Sequence, residues 1–81
     1  MKVRVKVKHI SDIEIPITTE FIKLESFLKL SGAAETGGMA KLWIQDGEIL
    51  VNGEVCTMRG KKLRPGDRVT CMGQTYCVTG A

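Results

Sequence analysis

Asn52-Gly53 stands between two short runs of strand-forming character, residues 48–51 and 54–57, and it is the strongest local constraint in the chain. Both residues accept the positive φ angles of a tight I′ turn, so the two runs are expected to be antiparallel neighbours. Leu63-Arg64-Pro65-Gly66-Asp67 is a second turn, in which proline presets one angle and glycine accepts the next. Residues 68–72 and 75–79 then pair across Gly73-Gln74. The second half of the chain is thereby expected to be a small antiparallel sheet.

The first half changes period part-way. Val3, Val5 and Val7 alternate with Lys2, Arg4, Lys6 and Lys8, and Ile13, Ile15 and Ile17 repeat the pattern, which is that of half-buried strands. Pro16 restricts its strand to an edge or irregular position, because proline cannot donate to a ladder. From Thr18 the spacing becomes helical. Thr18 or Thr19 caps a helix with Glu20 in its first turn and Phe21, Leu24, Phe27 and Leu28 on one stripe, ending near Gly32. Lys23, Ser26 and Lys29 lie off that stripe. Thr36 and Gly37-Gly38 precede a second helix over about residues 39–46, closed by Gly47. Ala40, Trp43 and Ile44 share one face of it, with Lys41 and Gln45 opposite. Two helices this short form a hairpin that needs the strands to bury its apolar faces.

At 81 residues the chain has room for one core. No apolar run exceeds three residues, as in Leu42-Trp43-Ile44, so no membrane helix is expected. The charged start lacks the apolar block of a secretory signal, which makes the expected location cytoplasmic. Three cysteines, Cys56, Cys71 and Cys77, fit neither zinc nor C-x-x-C spacing, and His9 is the single histidine. Buried or half-buried thiols are the expectation, without metal or cofactor. No candidate assembles a catalytic set. His9 lacks a nucleophile to serve, Asp46 and Glu48 flank a turn glycine, and Asp67 sits where aspartate bonds to its own backbone. The chain reads as a non-enzyme.

Charge is segregated. Residues 1–9 carry four basic groups and no acids, residues 10–40 two against five, and residues 51–68 five against two. Lysines on the first strand either guard an edge against aggregation or help to bind RNA. Arg59-Gly60-Lys61-Lys62-Leu63-Arg64 is either a solvated loop or a clamp for nucleic acid. Thr36-Gly37-Gly38 offers a cap with glycines that permit the turn, or else free amides at a helix start where an anion can approach, with Lys41 one turn on to reach the same phosphate. Aromatic residues are only 5%, and Phe21, Phe27 and Trp43 fall on apolar helix faces, which disfavours a base-stacking platform.

Phe27-Leu28-Lys29, Gly32, Thr36-Gly37-Gly38, Ala40-Lys41, Ile44, Gly47, Asn52-Gly53, Arg59-Gly60-Lys61-Lys62-Leu63, Gly66-Asp67 and Val69, in this order, resemble the S4 RNA-binding domain, and more closely its small stand-alone bacterial members. The resemblance covers about residues 18–72. It implies an α+β, S4-like (alpha-L) fold, a helical hairpin on a small, mainly antiparallel β-sheet, forming a single domain over residues 1–81 with an N-terminal β extension over 1–17. Carried over by position, the RNA contacts would be Thr36, Gly37, Gly38 and Lys41, with Lys23 or Lys29 on the first helix and Arg59, Lys61 and Lys62 beyond the hairpin. Many S4 domains have arginine directly after the residue that opens the second helix. This chain has Gly37 there, which leaves the phosphate to backbone amides and Lys41. A rival resemblance, of Asn52-Gly53-Glu54, Leu63, Pro65-Gly66-Asp67 and Val69 to β-grasp sulfur carriers, lacks the terminal Gly-Gly, since the chain ends Thr79-Gly80-Ala81. A protein-interaction adaptor is the third reading. The expectation is a cytoplasmic monomer that binds structured RNA, ribosomal RNA or a ribosome-assembly intermediate, through about four to six phosphate contacts with a log-log salt slope of about −3 to −5, with room for a ribosomal or other protein partner.

Overall fold

The computed structural model describes residues 12–81. The strand expected over residues 2–8, its lysines and His9 lie outside the described residues.

Turn chemistry builds the sheet from the C-terminal half outward. β3 (Ile49–Val51) and β4 (Glu54–Val55) pair antiparallel, with Val51 opposite Glu54. Between them Asn52 and Gly53 hold φ of +52° and +87°, as the I′ turn demands. β6 (Arg68–Cys71) pairs with both β3 and β7 (Gln74–Gly80). The β6–β7 loop is Met72-Gly73, one residue earlier than the Gly73-Gln74 read from the sequence, and Met72 holds the positive φ of +52°. A tight I′ turn takes positive φ at both central residues, and Met72 and Gly73 hold +52° and +81°, in a register that sets Cys71 opposite Gln74 with Val69, Cys71 and Val78 buried. β1 (Ile13–Ile17) completes the sheet order β1-β7-β6-β3-β4. It runs parallel to β7 and, among the described residues, ends the strand order, the kind of position to which Pro16 is suited.

The first helix departs from expectation. Thr18, Thr19 and Glu20 form a bend, with the Thr19 hydroxyl donating to the Phe21 carbonyl at 2.8 Å. Ile22–Lys23 forms β2, which pairs antiparallel with β5 (Lys62–Leu63), and α1 (Leu24–Leu30) begins only after it. No side chain caps α1. Its first amides instead donate to the loop that leads into β5, Leu24 N to the Lys61 carbonyl at 2.8 Å and Glu25 N to the Arg59 carbonyl at 3.2 Å. A distant segment thus satisfies donors that local capping by threonine would have served.

The second helix follows the sequence more closely. α2 (Gly37–Gln45) is capped by Thr36, whose hydroxyl oxygen accepts from Met39 N at 3.1 Å, and Gly47 closes it at φ +77°. It begins two residues earlier than the expected residue 39, so both glycines lie inside the helix.

The helices pack on each other and share one core with the strands. Leu24, Phe27, Leu28, Ala40, Ile44, Ile49, Leu63, Val69 and Val78 are fully buried, and Trp43 packs against them partly buried. Phe21 does not join them; it is half-buried outside the helix. Cys71 is buried, while Cys56 and Cys77 are half-buried free thiols.

One polar network locks two turns together. Asn52 Nδ2 donates to Asp67 Oδ1 at 3.1 Å, Asn52 Oδ1 accepts from Arg68 N at 3.0 Å, and Asp67 Oδ2 accepts from Arg64 N at 2.8 Å. Asn52 is therefore more than a turn residue. Asn52→Gly keeps the backbone freedom and loses only the hydrogen bonds, at a cost of about 1 kcal/mol, whereas Asn52→Ala also meets the positive φ and costs about 2 to 3 kcal/mol. Urea denaturation checks this ordering, and equal losses in the two variants would assign Asn52 to turn geometry alone.

Candidate nucleic-acid interface

At the start of α2 the first turn contains no acid, although the helix dipole favours one there. Thr36 takes the Met39 amide. Gly37 and Gly38 occupy the first two helical positions at ordinary helical φ, so neither is required by a left-handed backbone. The sequence reading in which these glycines permit the turn is corrected by this placement. Packing does not require them either: a Cβ at Gly37 would meet Lys29 Cδ at 3.8 Å and one at Gly38 would meet Thr36 Oγ1 at 3.8 Å, both ordinary contacts. Two glycines in a helix cost roughly 1 kcal/mol each relative to alanine. What they leave open is close approach to the helix start from outside.

The same contact shows that the stem of Lys29, in the last turn of α1, lies beside Gly37. Lys41, four residues beyond Gly37, is exposed on the same side of α2. Thr36, Gly37, Gly38, Lys29 and Lys41 therefore gather around one helix start.

The remaining sequence candidates form a second group. Lys23 ends β2, and Arg59, Lys61 and Lys62 belong to the loop and strand that bond to the first turn of α1; all four are exposed. The sequence reading has the helix start and a basic loop both holding phosphates. In the structure they sit at opposite ends of α1, whose seven residues span roughly 10 Å.

Two further residues belong beside this second group. The Lys62 ammonium lies 4.9 Å from the centroid of the Phe21 ring and the Arg64 guanidinium 5.9 Å from it. Arg64 stands in the basic run of the sequence, but the spacing places Phe21 on a helix face, and only the β2–β5 pairing brings them together.

Among the described residues, Arg68 is ion-paired, to Asp12 at 3.0 Å, and none of Lys23, Lys29, Lys41, Arg59, Lys61, Lys62 and Arg64 has such a partner. Nor, among those residues, do three His, Cys, Asp or Glu side chains gather to hold a metal ion. Burial and the nearby Glu48 charge push the Cys71 thiol up from its ordinary value, which keeps it protonated and a poor nucleophile. No helix among the described residues is long and apolar enough to cross a membrane.

The family model of the S4 domain matches residues 15–79. The chain belongs to the S4 domain family. This S4 domain is 48% identical, over 59 residues, to the probable ribosome maturation protein RlbA of Bacillus subtilis (strain 168), an alignment that covers 73% of the chain and 83% of that relative. Among solved structures it resembles the solution structure of YbcJ from E. coli, described as revealing an alfaL motif involved in RNA-binding. The TM-score is 0.61 at 26% identity, over 96% of this chain and 98% of that one. The S4 domain thus has the α+β, alpha-L architecture to which its order of motifs points: two helices and a mostly antiparallel sheet.

Proposed function

We propose that this S4 domain binds structured RNA without catalysis, ribosomal RNA or a ribosome-assembly intermediate, as a cytoplasmic monomer. The observation that carries this reading is the pair of glycines opening α2 where neither backbone angle nor packing calls for them. Free amides at a helix start, a dipole with no acid to occupy it and the exposed Lys29 and Lys41 suit a phosphate. Lys23, Arg59, Lys61 and Lys62 supply a second set of phosphate contacts at the other end of α1. Recognition then rests on RNA shape and backbone more than on base edges, since the described surface has few aromatic residues for stacking. The names of the relatives support this reading, one being a probable ribosome maturation protein and the other described as having a motif involved in RNA-binding.

The test is a salt series of binding to ribosomal RNA fragments and to duplex DNA, for the wild type and for Lys41→Glu combined with Arg59→Glu. The wild type is expected to prefer RNA, with a log-log slope of about −3 to −5. The double variant removes two phosphate contacts, each worth about tenfold at 0.1 M salt, and is expected to lose about 100-fold in affinity. Weak binding of all nucleic acids alike, untouched by the substitutions, overturns the reading in favour of a protein partner.

A further inference from the structure

The two-residue ribbon β2–β5 breaks a rule of sheet pairing. Lys23 stands directly opposite Lys62, and like charges in that position destabilise a strand pair. The next pair along, Ile22 opposite Leu63, turns inward, with Leu63 fully buried. Alternation then places Phe21, Lys23, Lys62 and Arg64 together on the outer face. Three cations and one ring occupy that face, and none of the three is in an ion pair among the described residues. Glu20 and Glu25 are near in sequence, yet neither pairs with them.

The ring holds two of these cations by cation–π contact, at 4.9 and 5.9 Å. Such contacts orient a cation without neutralising it. The backbone beneath is also fixed. Arg64 N is held by the Asp67 carboxylate at 2.8 Å, Asp67 N by the Arg64 carbonyl at 2.9 Å, and the Lys61 carbonyl by Leu24 N at 2.8 Å. Positive groups gathered at a local cost, aimed by an aromatic ring and mounted on rigid backbone form a preorganised anion seat.

We propose that the outer face of this ribbon, Phe21 with Lys23, Lys62 and Arg64, is a second seat for a phosphodiester of the bound RNA, with Phe21 as a positioning residue for the two cations over its ring. The inference rests on the RNA-binding reading and deepens it. Since α1 begins directly after Lys23 and its last turn reaches Gly37, the two seats lie about one helix length apart, roughly 10 Å. The RNA backbone runs along α1 from one to the other.

The probes are a structured ribosomal RNA fragment and inorganic phosphate, and thermal melts establish that each variant is folded. Phe21→Leu keeps every charge and an apolar side chain but removes the ring quadrupole. It is expected to lower RNA affinity about three- to tenfold, while Phe21→Tyr stays within about twofold of the wild type. Lys23→Gln with Arg64→Gln is expected to make the salt slope shallower by about 0.7 to 0.9, the contribution of one phosphate. Inorganic phosphate, followed by amide chemical shifts, is expected to move Lys23 and Lys62, and to move them less in Phe21→Leu. Unchanged affinity in Phe21→Leu, together with an unchanged slope in the double variant, overturns the second seat. If the wild type still prefers RNA and loses it when the start of α2 is altered, the proposed function survives that result. If the wild type shows no preference for RNA, the proposed function fails instead. The phosphate titration then decides the seat: ring-dependent shifts at Lys23 and Lys62 support it, and their absence overturns it.

Discussion

Gly37→Glu is expected to make the protein more stable and to lose RNA binding about 100-fold or more. The glycine has an ordinary helical φ and room for a Cβ, so glutamate enters without strain. It adds helix propensity, about 0.5 to 1 kcal/mol at this position, and an acid in a first turn that has none, about 0.3 to 1 kcal/mol more. Its carboxylate also lies within reach of the Lys29 side chain beside it. The same charge occupies the place proposed for an RNA phosphate and repels it. Urea denaturation and RNA titration on one sample read out both effects. A gain in stability with lost affinity marks a position kept as glycine for a ligand. Unchanged RNA affinity would return Gly37 to an accident of the helix start, and a loss of stability would show a structural need that the present geometry does not contain.

Phe27→Ala is expected to destabilise the fold by about 3 to 5 kcal/mol, the range for removing a fully buried phenylalanine. A chain of this length has about 4 to 12 kcal/mol in total, so the variant approaches the unfolding threshold. For a domain of this size each kcal/mol moves the midpoint by about 4 to 8 °C, and a drop of more than about 12 °C is anticipated in a thermal melt. Phe27→Leu, which leaves a smaller void, is expected to cost about 1.5 kcal/mol. The consequence for function follows from position. Phe27 lies in the middle of α1, whose two ends carry the two groups of exposed cations, so loosening it disturbs the spacing between them. A loss below about 1 kcal/mol in Phe27→Ala would mean that α1 contributes little to the core.

Much of the candidate interface was legible because its signals are local. Thr36 caps α2 through a bond to the residue three positions on, and Gly47 closes it. Asn52, Gly53 and Gly66 hold the positive φ angles that those residue types favour. The apolar stripe of Leu24, Phe27 and Leu28 is buried as its spacing implied. The order of these motifs was enough to indicate the S4 family, to which the chain belongs. The start of α1 was misread for the opposite reason. Thr18 and Thr19 are good caps locally, but Ile22 and Lys23 gain a strand partner in Lys62–Leu63, far along the chain, and the helix yields its first turn to that pairing.

Local chemistry by itself therefore determined the Asn52-Gly53 and Pro65-Gly66 turns, the cap and end of α2, the apolar stripes and the presence of a basic loop, because each depends on residues near each other in the chain. Tertiary structure decided where β1 pairs, which residue of the last hairpin takes the positive φ, where α1 begins and which cations share a face. Those outcomes depend on burying Leu63, Val69 and Val78 together with the helices. The free energy of that burial belongs to contacts between segments, and it outweighs any single local preference.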